Sequence, residues 1–147
     1  MTASPDRLLR LEEIEATRSL LASYARAADA ASVERMLALF TVDGVVANRR
    51  GELAGAQAIG RYFRDTWGAD PVEKRHFVTN LEVTWHGPGE VRTEAYFLFV
   101  ARTPAASTLG WGRYDADVRV EEGTARFARL RMDLDVATDL AAGWPAG

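Results

Sequence analysis

Cysteine is missing from this chain. That excludes a disulfide framework and any thiolate-held metal, and it makes a reducing cytoplasm a comfortable setting. Histidine is scarce: only His76 and His86 occur. They fall at opposite ends of one expected strand, so they do not have the spacing of a metal-ligand pair, and no metal site is expected. Neither sign of charge prevails, since 18 basic and 21 acidic side chains leave a formal net charge of -3. With neither sign gathered into a block, the chain lacks the basic stripe that a nucleic-acid footprint requires. Long apolar runs are also absent. Nothing approaches the ~18 residues of a membrane span, and the opening "MTASPDRLLRLEE" has no continuous apolar segment of a signal peptide. A soluble, cytoplasmic protein is expected, with neither nucleic acid nor membrane as a partner. A Gly-rich phosphate loop and a G-x-S-x-G elbow are lacking too, which leaves nucleotide hydrolysis and serine hydrolysis without support.

What is present is an ordinary globular composition. The 147 residues are 48% apolar and 27% charged, enough for one domain that buries its own core. Residues 1–7 and 137–147 are rich in small residues, Pro and Gly and read as tails, leaving 8–136 as the domain. Leu11, Ile14, Leu21, Tyr24 and Ala28 recur at helical spacing between Arg7 and Asp29, with Glu12, Glu13, Arg18 and Arg26 elsewhere on the wheel. Ser32 is placed as an N-cap before "VERMLALF", a short helix ending near Phe40. A strand around Val45-Val46 follows, then a turn at "RRGE". Ile59, Tyr62, Phe63 and Trp67 in "AQAIGRYFRDTW" predict a third helix able to cover one face of a sheet.

From residue 75 onward the pattern changes to strands. Segments 75–86, 91–103, 109–120 and 125–136 are rich in β-formers and are separated by "HGPGE", "TPAAS" and "EEGT", which predicts three hairpins in series. Helices followed by an antiparallel meander define an α+β domain rather than a doubly wound parallel one.

Acid-base chemistry is the reactivity left open. His76, in "RHFVTN", is the first candidate because imidazole titrates near working pH; a structural role in the strand is the other reading. Strand alternation puts His76, Val78 and Asn80 on one face and Phe77, Thr79 and Leu81 on the other. His86 abuts a turn and needs only solvent. Tyr24 and Asp29 form a second cluster, but five residues of helix turn through about 500°, so the two diverge by ~140° unless the helix stops before Asp29. A third cluster comprises Arg113 with Asp115 and Arg131 with Asp133, which salt-bridged ladders on neighbouring strands would explain. Trp85, Tyr96, Phe97, Phe99, Trp111 and Tyr114 supply rings for a core or for an apolar cavity.

Taken in order, "YARAAD", "LFTVDGVV", "GAQAIGRYF", "RHFVTN" and "GRYDADV" resemble the SnoaL-like branch of the NTF2-like superfamily across about residues 8 to 136. The resemblance implies a cone-shaped α+β barrel, with N-terminal helices packed on a curved, mostly antiparallel sheet, and a homodimer formed through the sheet. In dehydratase-like members a Tyr and an Asp of the first helix region and a His of the third strand line the pocket; Tyr24, Asp29 and His76 match these positions, and Asn80 matches a common downstream Asn. Tyr96, Trp111, Tyr114, Arg131 and Asp133 are the further expected substrate contacts. The activity implied is that of a cofactor-independent dehydratase, isomerase or cyclase acting on a hydrophobic polyketide-, steroid- or terpene-like carbonyl compound. His76 would abstract a proton, Asp29 would orient it and Tyr24 would donate to the developing oxyanion. The same superfamily offers three alternatives: an epoxide-opening hydrolase or cyclase using Asp115, Arg113 or Arg131, and Asp133; a noncatalytic small subunit of a ring-hydroxylating dioxygenase; and a ligand-binding module.

Overall fold

A computed structural model of the chain describes residues 5–68 and 72–141. The elements are α1 (Pro5–Asp29), α2 (Val33–Leu37), β1 (Phe40–Asn48), β2 (Gly51–Ala54), α3 (Gly55–Trp67), β3 (Glu73–Gly87), β4 (Glu90–Arg102), β5 (Ser107–Glu121) and β6 (Thr124–Asp139). The six strands form one sheet in the order β2-β1-β6-β5-β4-β3, antiparallel throughout except between β1 and β6. Among the described residues no helix is long and apolar enough to cross a membrane. Portions 1–4 and 142–147 of the expected tails lie outside the described residues. Helix α1 begins at Pro5 and β6 runs to Asp139, each a few residues beyond the expected domain limits.

Local chemistry accounts for two of these boundaries. The Ser32 side chain accepts from the Arg35 amide at 3.3 Å and caps α2, supplying one of the acceptors a helix start lacks. Phe40, expected at the end of that helix, instead opens β1, and its ring packs against Phe127 of β6. Burial of a large ring against the sheet overrides helical continuation there.

The helices lie on one face of the sheet. Leu20, Leu21, Tyr24, Met36, Ile59 and Phe63 meet Phe97, Tyr114, Val118, Phe127 and Leu130, all buried. Alternation along β5 sorts the two faces: Tyr114, Ala116, Val118 and Val120 point inward, while Trp111, Arg113, Asp117 and Arg119 are exposed. Two inward positions of β5 are glycines. A Cβ on Gly112 would stand 2.1 Å from the Asp133 carbonyl oxygen and 2.6 Å from the Phe97 ring, and one on Gly110 would stand 2.5 Å from Phe99. These missing side chains let two aromatic rings lie flat against the sheet.

The buried stripe of α1 differs from the expected one. Leu11 is exposed, whereas Glu13 and Thr17 are buried. Both carboxylate oxygens of Glu13 are used, one accepting from the Trp85 indole N–H at 2.6 Å and the other from the Gly89 amide at 2.9 Å. A buried carboxylate is tolerated when its oxygens accept such bonds. Glu13 thereby ties α1 to the β3–β4 hairpin.

Candidate active site

His76 of β3 meets Asp29 at the last residue of α1. The carboxylate Oδ1 lies 2.7 Å from His76 Nδ1 and also accepts the His76 backbone N–H at 3.0 Å. The end of a 25-residue helix carries the negative pole of its macrodipole, which disfavours a carboxylate placed there; two donors from one residue offset that cost. An ionised carboxylate can only accept, so a neutral His76 bonded to it carries its hydrogen on Nδ1 and keeps the Nε2 lone pair. Phe99 stacks beside the imidazole, with centroids 5.9 Å apart.

The helix does not stop before Asp29, and Tyr24 and Asp29 diverge as the helical wheel requires. His76 joins their two surroundings. It shares a shallow groove between α1 and β3 with Asp29, and it lines a cavity of about 580 Å3 together with Tyr24 and Tyr114. Tyr62, Phe63 and Trp67 of α3 close one side of that cavity, and Phe97, Phe99, Met132 and Leu134 close the other. This is a mostly apolar, open-mouthed cavity with a few convergent polar groups, of the kind in which small molecules bind.

The phenols are deeply buried. Tyr24 and Tyr114 meet edge to face with centroids 5.1 Å apart, and the Tyr24 hydroxyl donates to the Met132 sulfur at 2.8 Å. Burial pushes the Tyr24 hydroxyl well above its ordinary pKa, outweighing the hydrogen bond from Tyr114 that lowers it. Tyr114 is also pushed well up, first by burial and then by the neighbouring Tyr24. Both are therefore neutral donors and not bases.

Five of the expected contact residues lie elsewhere. Asn80 has φ +53 at a bulge where the β3–β4 register slips between Thr79 and Glu82. Asparagine tolerates this left-handed conformation, and the extra residue reverses the alternation that follows. Leu81, not Asn80, thus shares the inner face with Val78, and Asn80 joins Tyr96, Arg131 and Asp133 around a depression on the outer face. Trp111 is also on that face, 42% exposed. Tyr114 alone of the six expected contacts lines the cavity. Outer-face charges pair among themselves: Arg131 with Asp133 at 2.7 Å on the same strand, Arg92 with Asp115 at 2.6 Å and Arg113 with Asp135 at 3.1 Å. The Asp/Arg set of the epoxide-opening alternative is this ladder, and it does not face the cavity.

Several cavity residues went unmarked in the sequence. Lys74 precedes His76 by two positions and shares its strand face, which alternation alone could have revealed. Arg49 and Arg50 read only as a turn, and Met132 carried no signal at all.

Helices on a curved, mostly antiparallel sheet, with a histidine-lined cavity between them, define an NTF2-like fold. The chain belongs to the SnoaL-like family, whose domain model matches residues 9–131. Among solved structures it is similar to LinA, at 18% identity and a TM-score of 0.83, covering 97% of this chain and 99% of that one; a LinA of type 2 is a hexachlorocyclohexane dehydrochlorinase. It is also similar to a Novosphingobium aromaticivorans protein proposed to be a scytalone dehydratase, at 19% identity, a TM-score of 0.79 and 89% coverage of both chains. A Mycobacterium tuberculosis protein of unknown function shares the fold at 24% identity and a TM-score of 0.74, with 84% of this chain and 72% of that one covered. No curated protein matches the sequence.

Proposed function

We propose that the protein is a cofactor-independent acid-base enzyme, a dehydratase, isomerase or cyclase, that abstracts a proton beside the carbonyl of a hydrophobic small molecule. One observation carries this reading: the 2.7 Å contact between His76 Nδ1 and Asp29, formed at the wall of an apolar cavity. His76 Nε2 takes the proton, Asp29 holds the tautomer and offsets the ring's new charge, and the Tyr24 hydroxyl, backed by Tyr114, donates to the enolate oxygen or the departing hydroxyl. Elimination, double-bond shift and ring closure share this first step. Fold neighbours described as a dehydrochlorinase and as a proposed scytalone dehydratase support an elimination begun by proton abstraction, and polyketide-, steroid- or terpene-like ketones are the substrates of this reading.

The reading also includes self-association through the outer sheet face. Phe77, Tyr96 and Trp111 are 54%, 56% and 42% exposed there, and Phe77 and Trp111 flank Leu98 in one cross-strand row.

The decisive experiment follows exchange of α-hydrogens for deuterium in a panel of hydrophobic ketones by mass spectrometry. Wild type is expected to catalyse exchange, with His76→Ala slower by about 10^2- to 10^4-fold and Asp29→Asn intermediate. Ketones that bind but neither exchange nor change, whether or not His76 is present, would make the protein a binding module. Stable co-purification with a larger iron-sulfur protein and no exchange would instead favour the dioxygenase-subunit alternative.

A further inference from the structure

The charge on the cavity wall is one-sided. Arg49, Arg50 and Lys74 line it, and among the described residues no Asp or Glu does. This sorting occurs in a chain whose net charge is -3. Lys74 is the least exposed of the three. It shares the inner face of β3 with His76, two residues away, which separates the two side chains by about 7 Å along the strand.

Lys74 is half-buried and lines the cavity, apart from the charge pairs on the rest of the sheet. Arg92, Arg102, Arg113, Arg119, Arg129 and Arg131 each have a carboxylate partner. The Lys74 ammonium has neither an ion pair nor a hydrogen bond among the described residues; it lies over the Trp67 ring, 5.2 Å from its centroid. Partial burial lowers its pKa, more than the attraction of Asp29 raises it. Arg49 has only a 3.7 Å contact to Asp135, which also serves Arg113. An apolar wall that carries cations, with the nearest carboxylates, Asp29 and Asp135, outside its lining, concentrates the field on whatever enters.

We infer that Lys74, with Arg49 and Arg50 at the rim, binds an anionic group carried by the substrate, so that the ligand is an amphipathic organic anion rather than a neutral ketone. The inference rests on the catalytic reading for the word substrate, but the anion site itself does not. A carboxylate or a phosphate ester would present the same charge to the ammonium, a compact point charge without Arg's planar fork. The Lys74 and His76 backbone positions are about 7 Å apart along the strand, which places the anionic group and the C–H that His76 deprotonates at separate ends of the ligand.

Binding without turnover separates this inference from the catalytic one. Three probes share one ring system: 2-naphthoate, 2-naphthyl phosphate and the neutral 2-acetylnaphthalene. Titration is followed by calorimetry and by quenching of tryptophan fluorescence, since Trp67 lines the cavity beside Lys74. At least one anion should bind wild type about tenfold more tightly than the neutral ketone, the return on one charge-assisted bond. Lys74→Met should abolish that preference while leaving ketone affinity within about twofold, and Lys74→Arg should retain it. The preference should also weaken with added salt. Tighter binding of the carboxylate or of the phosphate ester identifies which group the site takes. Equal affinity for ketone and anions in wild type, no anion binding at millimolar concentration, or a preference that survives Lys74→Met would each overturn the inference. His76→Ala should keep the anion preference whether or not the protein is an enzyme, so a failed deuterium-exchange experiment leaves this outcome readable.

Discussion

Tyr24 and Tyr114 give the cavity hydroxyl groups that stay protonated. Their folded-state pKa values lie above the ordinary 10.0. The folded protein therefore keeps protons that the unfolded chain releases above that pH, so stability is intact below pH 10 and falls as the pH rises beyond it. Denaturant midpoints measured from about pH 8 to pH 11 should show this fall, and Tyr24→Phe or Tyr114→Phe should flatten it. An equal fall in all three proteins would mean that the phenols do not differ between folded and unfolded states. In turnover, Tyr24→Phe is expected to cost about 10- to 100-fold, less than His76→Ala, because Tyr114 remains as a neighbouring donor. At this scale the sequence was informative only in part. Tyr24, Asp29 and His76 stood out because their residue types suit acid-base work. Lys74, Arg49 and Arg50 did not, because a cation beside a turn or a strand end is ordinarily solvated; only the folded wall shows that they line one cavity with no carboxylate among its described lining residues.

Helix α1 is fastened to β3 by two carboxylates. Glu13 grips Trp85 and Gly89, and Asp29 grips His76 sixteen residues further on, about 24 Å along the helix axis. The first fixes the angle at which the second arrives. Glu13→Ala leaves a half-buried indole N–H and an amide without acceptors, and it is expected to lower unfolding free energy by about 1–3 kcal/mol, read as a shifted denaturant midpoint. On β5, Gly112→Ala would drive a methyl group into the Asp133 carbonyl and the Phe97 ring; a loss of about 1–3 kcal/mol and a smaller cavity should follow, visible as weaker binding of the naphthyl probes. Element order and the three hairpins were legible from periodicity and turn residues, since both are local. Glu13 was not, because a hydrophobic wheel assigns any carboxylate to solvent and cannot see a hairpin amide brought near by tertiary folding. Asn80 misled for a related reason: alternation holds only until a bulge inserts a residue, and an Asn that accepts φ +53 looks like any other in a row of letters.

Across the whole molecule the sheet separates two kinds of surface. Its inner face holds the core and the cavity, while its outer face holds paired charges around Phe77, Tyr96 and Trp111. Sedimentation of wild type and of Trp111→Glu should distinguish a dimer from a monomer, with the variant monomeric and still folded; a variant that sediments like wild type would place any interface elsewhere. The absence of cysteine gives Met132 a particular significance. Of three methionines, Met1 lies outside the described residues, Met36 is fully buried and Met132 borders the cavity with its sulfur on the Tyr24 hydroxyl. Oxidation of that thioether would set a strongly accepting sulfoxide oxygen against the phenol, holding its proton away from a substrate. A protein with no thiol to oxidise would thus meet peroxide at this cavity, reversibly, through methionine.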